Sequence, residues 1–277
     1  VRRSPARRPG PALLRAMNHH LVHLLGPFDI PHLGPRPVRV YVPPVKHPPS
    51  PRPVLYLFDG RNLFDDAPSF VGGWHLHRTA HHLSRTSLAA PVIVGIDHGH
   101  AERINDLGPW ATPRGGGRTD ALLDWIGATL MPRMRHDFNV ASDPAHVGIG
   151  GSSLGGLAAL YAHFRRPELF GLVMAMSPSL WFAQGKIFDF VASTSRPWTS
   201  RIYLDAGGLE GGGGMLASAQ RMADALRARG WDEGALAWVP VKTGKHSEKS
   251  WRRRTPRALR FLFPAKAPSA PKRGKTP

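Results

Sequence analysis

The segment HVGIGGSSLGGLAALYAHF, residues 146–164, constrains this chain more tightly than any other stretch. An apolar run suited to a buried strand enters Gly151-Ser152-Ser153-Leu154-Gly155, and an Ala- and Leu-rich stretch of helical character follows at once. In such a G-x-S-x-G pattern the serine occupies a strained strand-to-helix turn. Glycines are needed two residues to either side because Cβ atoms there would collide with neighbouring backbone. The turn lifts the Ser153 hydroxyl clear of a sheet, and the Leu154 amide at the helix start points at the same space, where it can donate to a developing oxyanion. A phosphate-binding reading fits less well. With Gly148 and Gly150 as the first glycines of G-x-G-x-x-G, the third position falls on Ser153, no acidic residue closes the next apolar run LVMAM, and no Gly-Lys-Ser/Thr follows.

The rest of the chain supplies the architecture such a turn requires. Short apolar or β-branched runs bounded by Gly and Pro predict strands at 20–25, 38–42, 54–58, 92–96, 146–150, 172–176, 202–206 and 236–241. Helical periodicity predicts helices near 75–83, 120–133, 154–165, 215–229 and 251–263. The alternation reads as a mostly parallel eight-stranded α/β sheet flanked by helices, with the first two strands as an antiparallel edge. The expected layout is a basic tail at 1–16, one domain at 17–263 and a second basic tail at 264–277.

Composition narrows the chemistry. The 277 residues contain no cysteine, so disulfides, thiolate metal sites and a cysteine nucleophile are excluded. That absence fits a reducing cytoplasm. The apolar runs are too short to cross a bilayer, and the first residues lack the sustained apolar stretch of a secretory signal. The formal charge is +18, and the two tails hold nine of those charges in Pro-rich sequence without interleaved aromatics. A solvated-tail reading therefore leads over obligatory nucleic-acid binding.

A serine hydroxyl needs a base within hydrogen-bond reach, held in turn by an acid. When the nucleophile sits on this kind of turn, the chain order is Ser, then Asp or Glu, then His. The run RIYLDAG leads into Gly208-Leu209-Glu210, and ALAWVPVKTG leads into Lys245 and His246 just before the last helix. Both loops follow C-terminal strand ends, the edge where open α/β sheets place their sites. His246 is the base candidate. Glu210 is favoured as the acid over Asp205, which is expected within its strand, and a Ser-His pair without a dedicated acid stays open.

With these residues in view, the chain resembles the esterase family of the α/β-hydrolase fold that includes esterase D, feruloyl and acetyl-xylan esterases, enterochelin esterases and the mycolyltransferases. The stretches that carry the resemblance are VRVYVPP, VLYLFDGRNLF, VIVGIDHGHAERINDLGPW, GGSSLGGLAALYAHFRRPELFGLVMAMSPSLWF, YLDAGGLEG and GKHSEKSWRRRTPRALRFLF. It is most similar to the enterochelin-esterase-like branch. The resemblance implies Ser153 as nucleophile, His246 as base and Glu210 as acid, working through an acyl-enzyme without a cofactor. It also implies that the loop at Gly60 and Arg61 completes an oxyanion hole through the Arg61 amide, and that Trp181 and Trp251 flank the pocket. Asp59-Gly60 stands here where several relatives have His-Gly.

Three other readings are carried forward. His75, His77, His81 and His82 crowd one segment, as in a metal hydrolase, but without H-E-x-x-H or a carboxylate at ligand spacing. A non-catalytic basic protein would bind anionic polymers with steep salt dependence. An acyltransferase of the same fold would pass the acyl group to an alcohol rather than to water. As for substrate, Arg61, Arg103 and the net charge suggest an anionic ester such as a catecholate siderophore or a hydroxycinnamate.

Overall fold

The computed structural model describes residues 22–265 apart from 46, 47, 68, 70, 71 and 86–88. The N-terminal tail expected at 1–16, and all but Pro264 and Ala265 of the C-terminal one, lie outside the described residues. Eight strands form one sheet: β1 Val22–Ile30, β2 Gly34–Tyr41, β3 Val54–Phe58, β4 Val92–Ile96, β5 Val147–Ser152, β6 Leu172–Met176, β7 Arg201–Gly207 and β8 Leu236–Val241. Their order is β1-β2-β4-β3-β5-β6-β7-β8. The pairs β1/β2 and β2/β4 are antiparallel, and every other pair is parallel. The helices are α1 Leu76–Ser84, α2 Arg103–Leu107, α3 Thr119–Trp125, α4 Met131–Phe138, α5 Leu154–Arg165, α6 Lys186–Ser193, α7 Gly214–Ala228 and α8 Glu248–Leu262. This is the α/β-hydrolase class of sheet.

Alternation of side chains divides the apolar residues between the two faces of the sheet. Val54, Tyr56 and Phe58 of β3 join Val173 and Ala175 of β6 in a cluster with residues of α3 to α7. Leu55 and Leu57 join Leu172, Met174 and Met176 in a second cluster, with Leu76, Ala80 and Leu83 of α1 and Ala258, Leu259 and Leu262 of α8. With both faces covered, the central strands read as continuous apolar runs rather than alternating ones. Helix α5 is buried from Gly155 to Phe164, which is why Ala and Gly replace polar residues all round it.

The strand order locates the site. From β3 the chain moves outward to β4, whereas from β5 it moves the opposite way, to β6, and β3 and β5 lie side by side. Where adjacent parallel strands send their connections in opposite directions, a crevice opens beyond their C-terminal ends. The loops at Asp59 and Ser153 border that crevice. Helix α2 is fastened nearby by a buried ion pair in which Arg36 Nη2 of β2 donates to both carboxylate oxygens of Asp106, at 3.2 and 3.0 Å.

Several boundaries differ from the sequence expectation. The first strand, expected at 20–25, is described from Val22, residues 20 and 21 lying outside the described residues, and continues to Ile30 through a register shift between Leu25 and Phe28. The helix expected at 120–133 is two helices joined through a π-helical turn at Ile126–Leu130. Helices α2 and α6 were not foreseen. Leu259, fully buried between α8 and the sheet, gives a direct check on this packing. Leu259→Ala should cost about 2–5 kcal/mol in urea unfolding, through lost burial and an unfilled cavity.

Candidate active site

Ser153 holds φ 57° and ψ −122° between β5 and α5, a conformation rarely adopted by a side-chain-bearing residue. The flanking glycines allow it. A Cβ on Gly151 would lie 2.8 Å from the Gly155 carbonyl carbon, and one on Gly155 would lie 3.3 Å from Asp59 Oδ2 and from Phe58 Cβ. The turn therefore packs against the loop that follows β3. It is also tied to the end of β6, because the Ser153 amide donates to the Met176 carbonyl and the Ser179 amide to the Ser153 carbonyl, each at 3.0 Å. The Ser153 hydroxyl lies 3.2 Å from Ser179 Oγ.

The Leu154 amide at the start of α5 and the Arg61 amide, in the helical turn Gly60–Asn62, make no hydrogen bond among the described residues. The Gly60 loop is close-packed, since a Cβ on Gly60 would meet Asp97 Oδ1 at 2.6 Å. Asp59, at φ 58°, opens this loop, and Arg103 grips its carboxylate with Nε and Nη2, both at 2.7 Å. Burial works against the Arg103 charge, and Asp59 more than offsets it. The Arg103 cation is thus matched inside the protein, and Arg61 Nη1 donates to His100 Nδ1 at 3.2 Å.

The base and acid candidates come together because their loops are stitched along the backbone. The Gly208 amide donates to the Val241 carbonyl at 2.9 Å, and the Leu209 amide to the Gly244 carbonyl at 3.0 Å. Only glycine at 207 permits this approach, since a Cβ there would lie 2.3 Å from Gly244 O and 2.5 Å from Glu210 Oε1. Across the seam His246 Nδ1 lies 3.2 Å from Glu210 Oε2. The Glu210 side chain is wholly buried while 36% of the His246 side chain is exposed. The Trp251 ring stands edge-on to the imidazole, with centroids 4.9 Å apart.

Glu210 Oε1 faces inward. It accepts from Ser177 Oγ at 2.8 Å, the Gly207 amide at 3.1 Å and Arg254 Nη2 at 3.3 Å. Burial tends to raise the Glu210 carboxyl, but hydrogen bonds with His246 and Ser177 and the Arg254 charge hold it below its ordinary range. Asp205 sits fully buried one layer deeper, taking Arg254 Nη1 at 2.9 Å and the Ser177 amide at 3.0 Å. Burial pushes its carboxyl up to about 7, against the pull of Arg254. No hydrogen bond links Asp205 to His246, so the nearer acid is Glu210. Ser153 and His246 share no direct hydrogen bond, and the loop after β6 connects the two sides, with Ser179 at Ser153 and Ser177 at Glu210.

Two participants escaped the sequence reading. Ser177, at φ 42°, terminates β6 inside the SPSLW stretch. Arg254 hides in the run Arg252-Arg253-Arg254, although its i, i+3 spacing from Trp251 places both on one helix face. Of the expected pocket aromatics, Trp181 is 58% exposed and Trp251 is buried. Beside Leu154 opens a cavity of about 610 Å³ whose lining includes Ile104, Arg114, Trp181, Phe182 and Lys186. The histidines of the 75–82 segment point to different surroundings: His75 Nε2 lies 2.9 Å from Asp66 Oδ1, and His77 is buried among Tyr41 and Phe64. No group of three or more metal-ligating side chains converges among the described residues.

Two outcomes test this geometry. Gly207→Ala should lower stability by about 1–3 kcal/mol, read by denaturant unfolding, because backbone on both sides of the seam must shift. The raised Asp205 carboxyl binds its proton more tightly in the folded state than in the unfolded chain, so its contribution is full below the unfolded value near 3.8 and is lost as pH rises through about 7. Asp205→Asn should flatten the stability profile across that window, measured as unfolding free energy against pH.

Comparison with known proteins identifies the family. The family model described as Putative esterase matches residues 33–262. Among curated relatives, the uncharacterized protein YbbA of Bacillus subtilis is 26% identical over 245 residues, covering 83% of this chain and 93% of that protein. The iron(III) salmochelin esterase of Escherichia coli is 28% identical over 232 residues, covering 78% of this chain and 52% of that enzyme, so the chain spans about half the length of that relative. In fold, the BES protein of Bacillus cereus matches with a TM-score of 0.73 at 18% identity, over 94% of this chain and 99% of that one. With the family model spanning most of its length, the chain belongs to the Putative esterase family of α/β hydrolases, a family of carboxylic ester hydrolases.

Proposed function

We propose that this chain cleaves carboxylic esters through an acyl-enzyme, with Ser153 as nucleophile, His246 as general base and Glu210 as its acid. The observation that carries the reading is the 3.2 Å contact between His246 Nδ1 and Glu210 Oε2, linked to the strained Ser153 turn through the loop after β6, where Ser177 donates to Glu210 and Ser179 touches Ser153. That contact leaves Nε2 of the imidazole as the free basic nitrogen. In the reacting complex the Ser153 hydroxyl leaves Ser179 and donates to Nε2, a contact of the kind that is often long in free enzymes and tightens with substrate bound.

The chemistry then follows from the positions. Ser153 Oγ adds to the ester carbonyl while its proton passes to His246 Nε2. The Leu154 and Arg61 amides receive the oxyanion. Collapse breaks the bond to the alcohol, which leaves with the proton from His246. Water repeats the sequence on the acyl-Ser153 and releases the acid. Every proton is carried by the imidazole, and Glu210 stabilises the imidazolium without taking one.

For the substrate, the salmochelin esterase similarity and the cavity beside Leu154 favour a bulky ester with an aromatic acyl part, such as a siderophore-type ester. The exposed Trp181 offers stacking surface there, with Phe182 buried beneath the lining, and Arg114 and Lys186 supply positive charge. In the lining of this cavity these two are the cations that can meet an anionic ester, whereas Arg103 is bound to Asp59.

Ser153→Ala and His246→Ala should each lower kcat on p-nitrophenyl esters by at least about 10³-fold while leaving the thermal unfolding midpoint close to wild type. A Ser153→Ala protein with full activity on every ester cleaved would remove this serine as nucleophile. In a panel of p-nitrophenyl, feruloyl and siderophore esters, Arg114→Ala with Lys186→Ala should raise KM for the anionic members several-fold at low salt. Their kcat should hold, and neutral esters should be unaffected.

A further inference from the structure

The buried groups behind Glu210 use up one another's hydrogen-bonding capacity in a way that leaves a single arrangement. A serine hydroxyl has one hydrogen and two acceptor sites, whereas an indole N–H and a guanidinium can only donate. At Ser177 Oγ, Trp251 Nε1 donates at 3.0 Å and Arg254 Nη2 at 3.1 Å. Both acceptor sites are then filled, and the lone hydroxyl hydrogen must point to Glu210 Oε1, 2.8 Å away. With the Gly207 amide and Arg254 Nη2 also donating to it, Oε1 has no room for a proton of its own. The carboxylate is left with Oε2 free to accept from His246 Nδ1–H.

Arg254 is itself aimed. Asp205, wholly buried, takes its Nη1 at 2.9 Å, and the Asp205 carboxylate is fixed in turn by the Ser177 amide at 3.0 Å and the Tyr203 hydroxyl at 3.2 Å. The guanidinium fork thus spans two carboxylates and a hydroxyl, a geometry that lysine's single ammonium does not reproduce. A buried pair of carboxylates without that cation would drive one of them to hold a proton.

We infer that Ser177 and Arg254, with Asp205 as the anchor of Arg254, are positioning residues that hold Glu210 ionised and one-sided, and thereby fix the His246 tautomer with Nε2 as base. The inference rests on the triad reading of the preceding subsection and extends it one layer inward. Asp205 on this account is the counter-ion of Arg254 and not a spare acid for the histidine. Because the effect passes through Glu210, it should vanish once Glu210 no longer carries a charge.

A double-mutant cycle on a p-nitrophenyl ester tests this. Ser177→Ala removes the oriented hydroxyl with little change in volume. Asp205→Asn combined with Arg254→Met removes Arg254 without leaving Asp205 as an unpaired buried charge, so that the loss falls on Glu210 alone. Each should lower kcat about tenfold with KM within about twofold, whereas in the Glu210→Gln background each should lower kcat by less than about twofold. Equal falls in both backgrounds, or wild-type kcat for Ser177→Ala, would overturn the positioning role. Wild-type kcat for Glu210→Gln alone would instead overturn the triad reading, and the inference with it. If the Asp205→Asn/Arg254→Met protein does not fold, Ser177→Ala completes the cycle.

Discussion

A left-handed backbone turn at one serine, φ 57° between a buried strand and a buried helix, is the constraint around which the molecule is arranged. A non-glycine residue in such a conformation costs about 1–3 kcal/mol and persists only where its surroundings over-determine it. Here three elements do so. Glycines at 151 and 155 remove the collisions, the end of β6 grips the turn from both sides of its peptide, and the β3 loop packs against it at Asp59. The sheet order then does the rest, since β3 and β5 are neighbours whose connections diverge, so the Arg61 and Leu154 loops meet at one crevice.

Charge is handled differently on the two sides of that crevice. Toward the β3 loop, a cation and a carboxylate neutralise each other in the Arg103–Asp59 pair, leaving the loop amides as the local donors. On the β7–β8 side, one buried guanidinium serves two buried carboxylates, Asp205 and Glu210, while the third charge-capable partner, His246, stays partly exposed. Two carboxylates sharing one cation carry excess negative charge, and an imidazole at the outer carboxylate is where a positive charge would be welcomed. The two acids are nevertheless pushed in opposite directions: burial drives the deeper one up, whereas hydrogen bonds from His246 and Ser177 and the Arg254 charge outweigh burial at the outer one and hold it down.

Much of this was legible in the chain. The central strands β3, β4 and β6 fall on the residues that apolar runs predict, and α5 spans 154–165 as expected, because buried strands and a buried helix must be apolar along their length; the edge strand β8 also falls where expected. The antiparallel edge was also legible, because no helix lies between its first two strands. Less was visible where tertiary contacts decide. Helix α2 is five residues long and is anchored by Asp106 to a distant strand, a pairing no local pattern reveals. Helix α6 follows three residues at positive φ, Ala183 to Gly185, in a stretch with no capping signal. Ser177 and Arg254 were invisible for a related reason, since a serine after a strand and one arginine among three look like a loop residue and a solvated face until folding buries them. The seam of Gly207 and Gly244 reads in sequence only as two flexible loops.

Whether Ser153 is the nucleophile is decided by active-site titration with an organophosphonate followed by peptide mass spectrometry. One covalent adduct per chain is expected, on the peptide carrying Ser153, forming in step with loss of esterase activity and suppressed in His246→Ala. Inactivation with the adduct on another residue, or full activity in protein labelled stoichiometrically at Ser153, would contradict that role for Ser153.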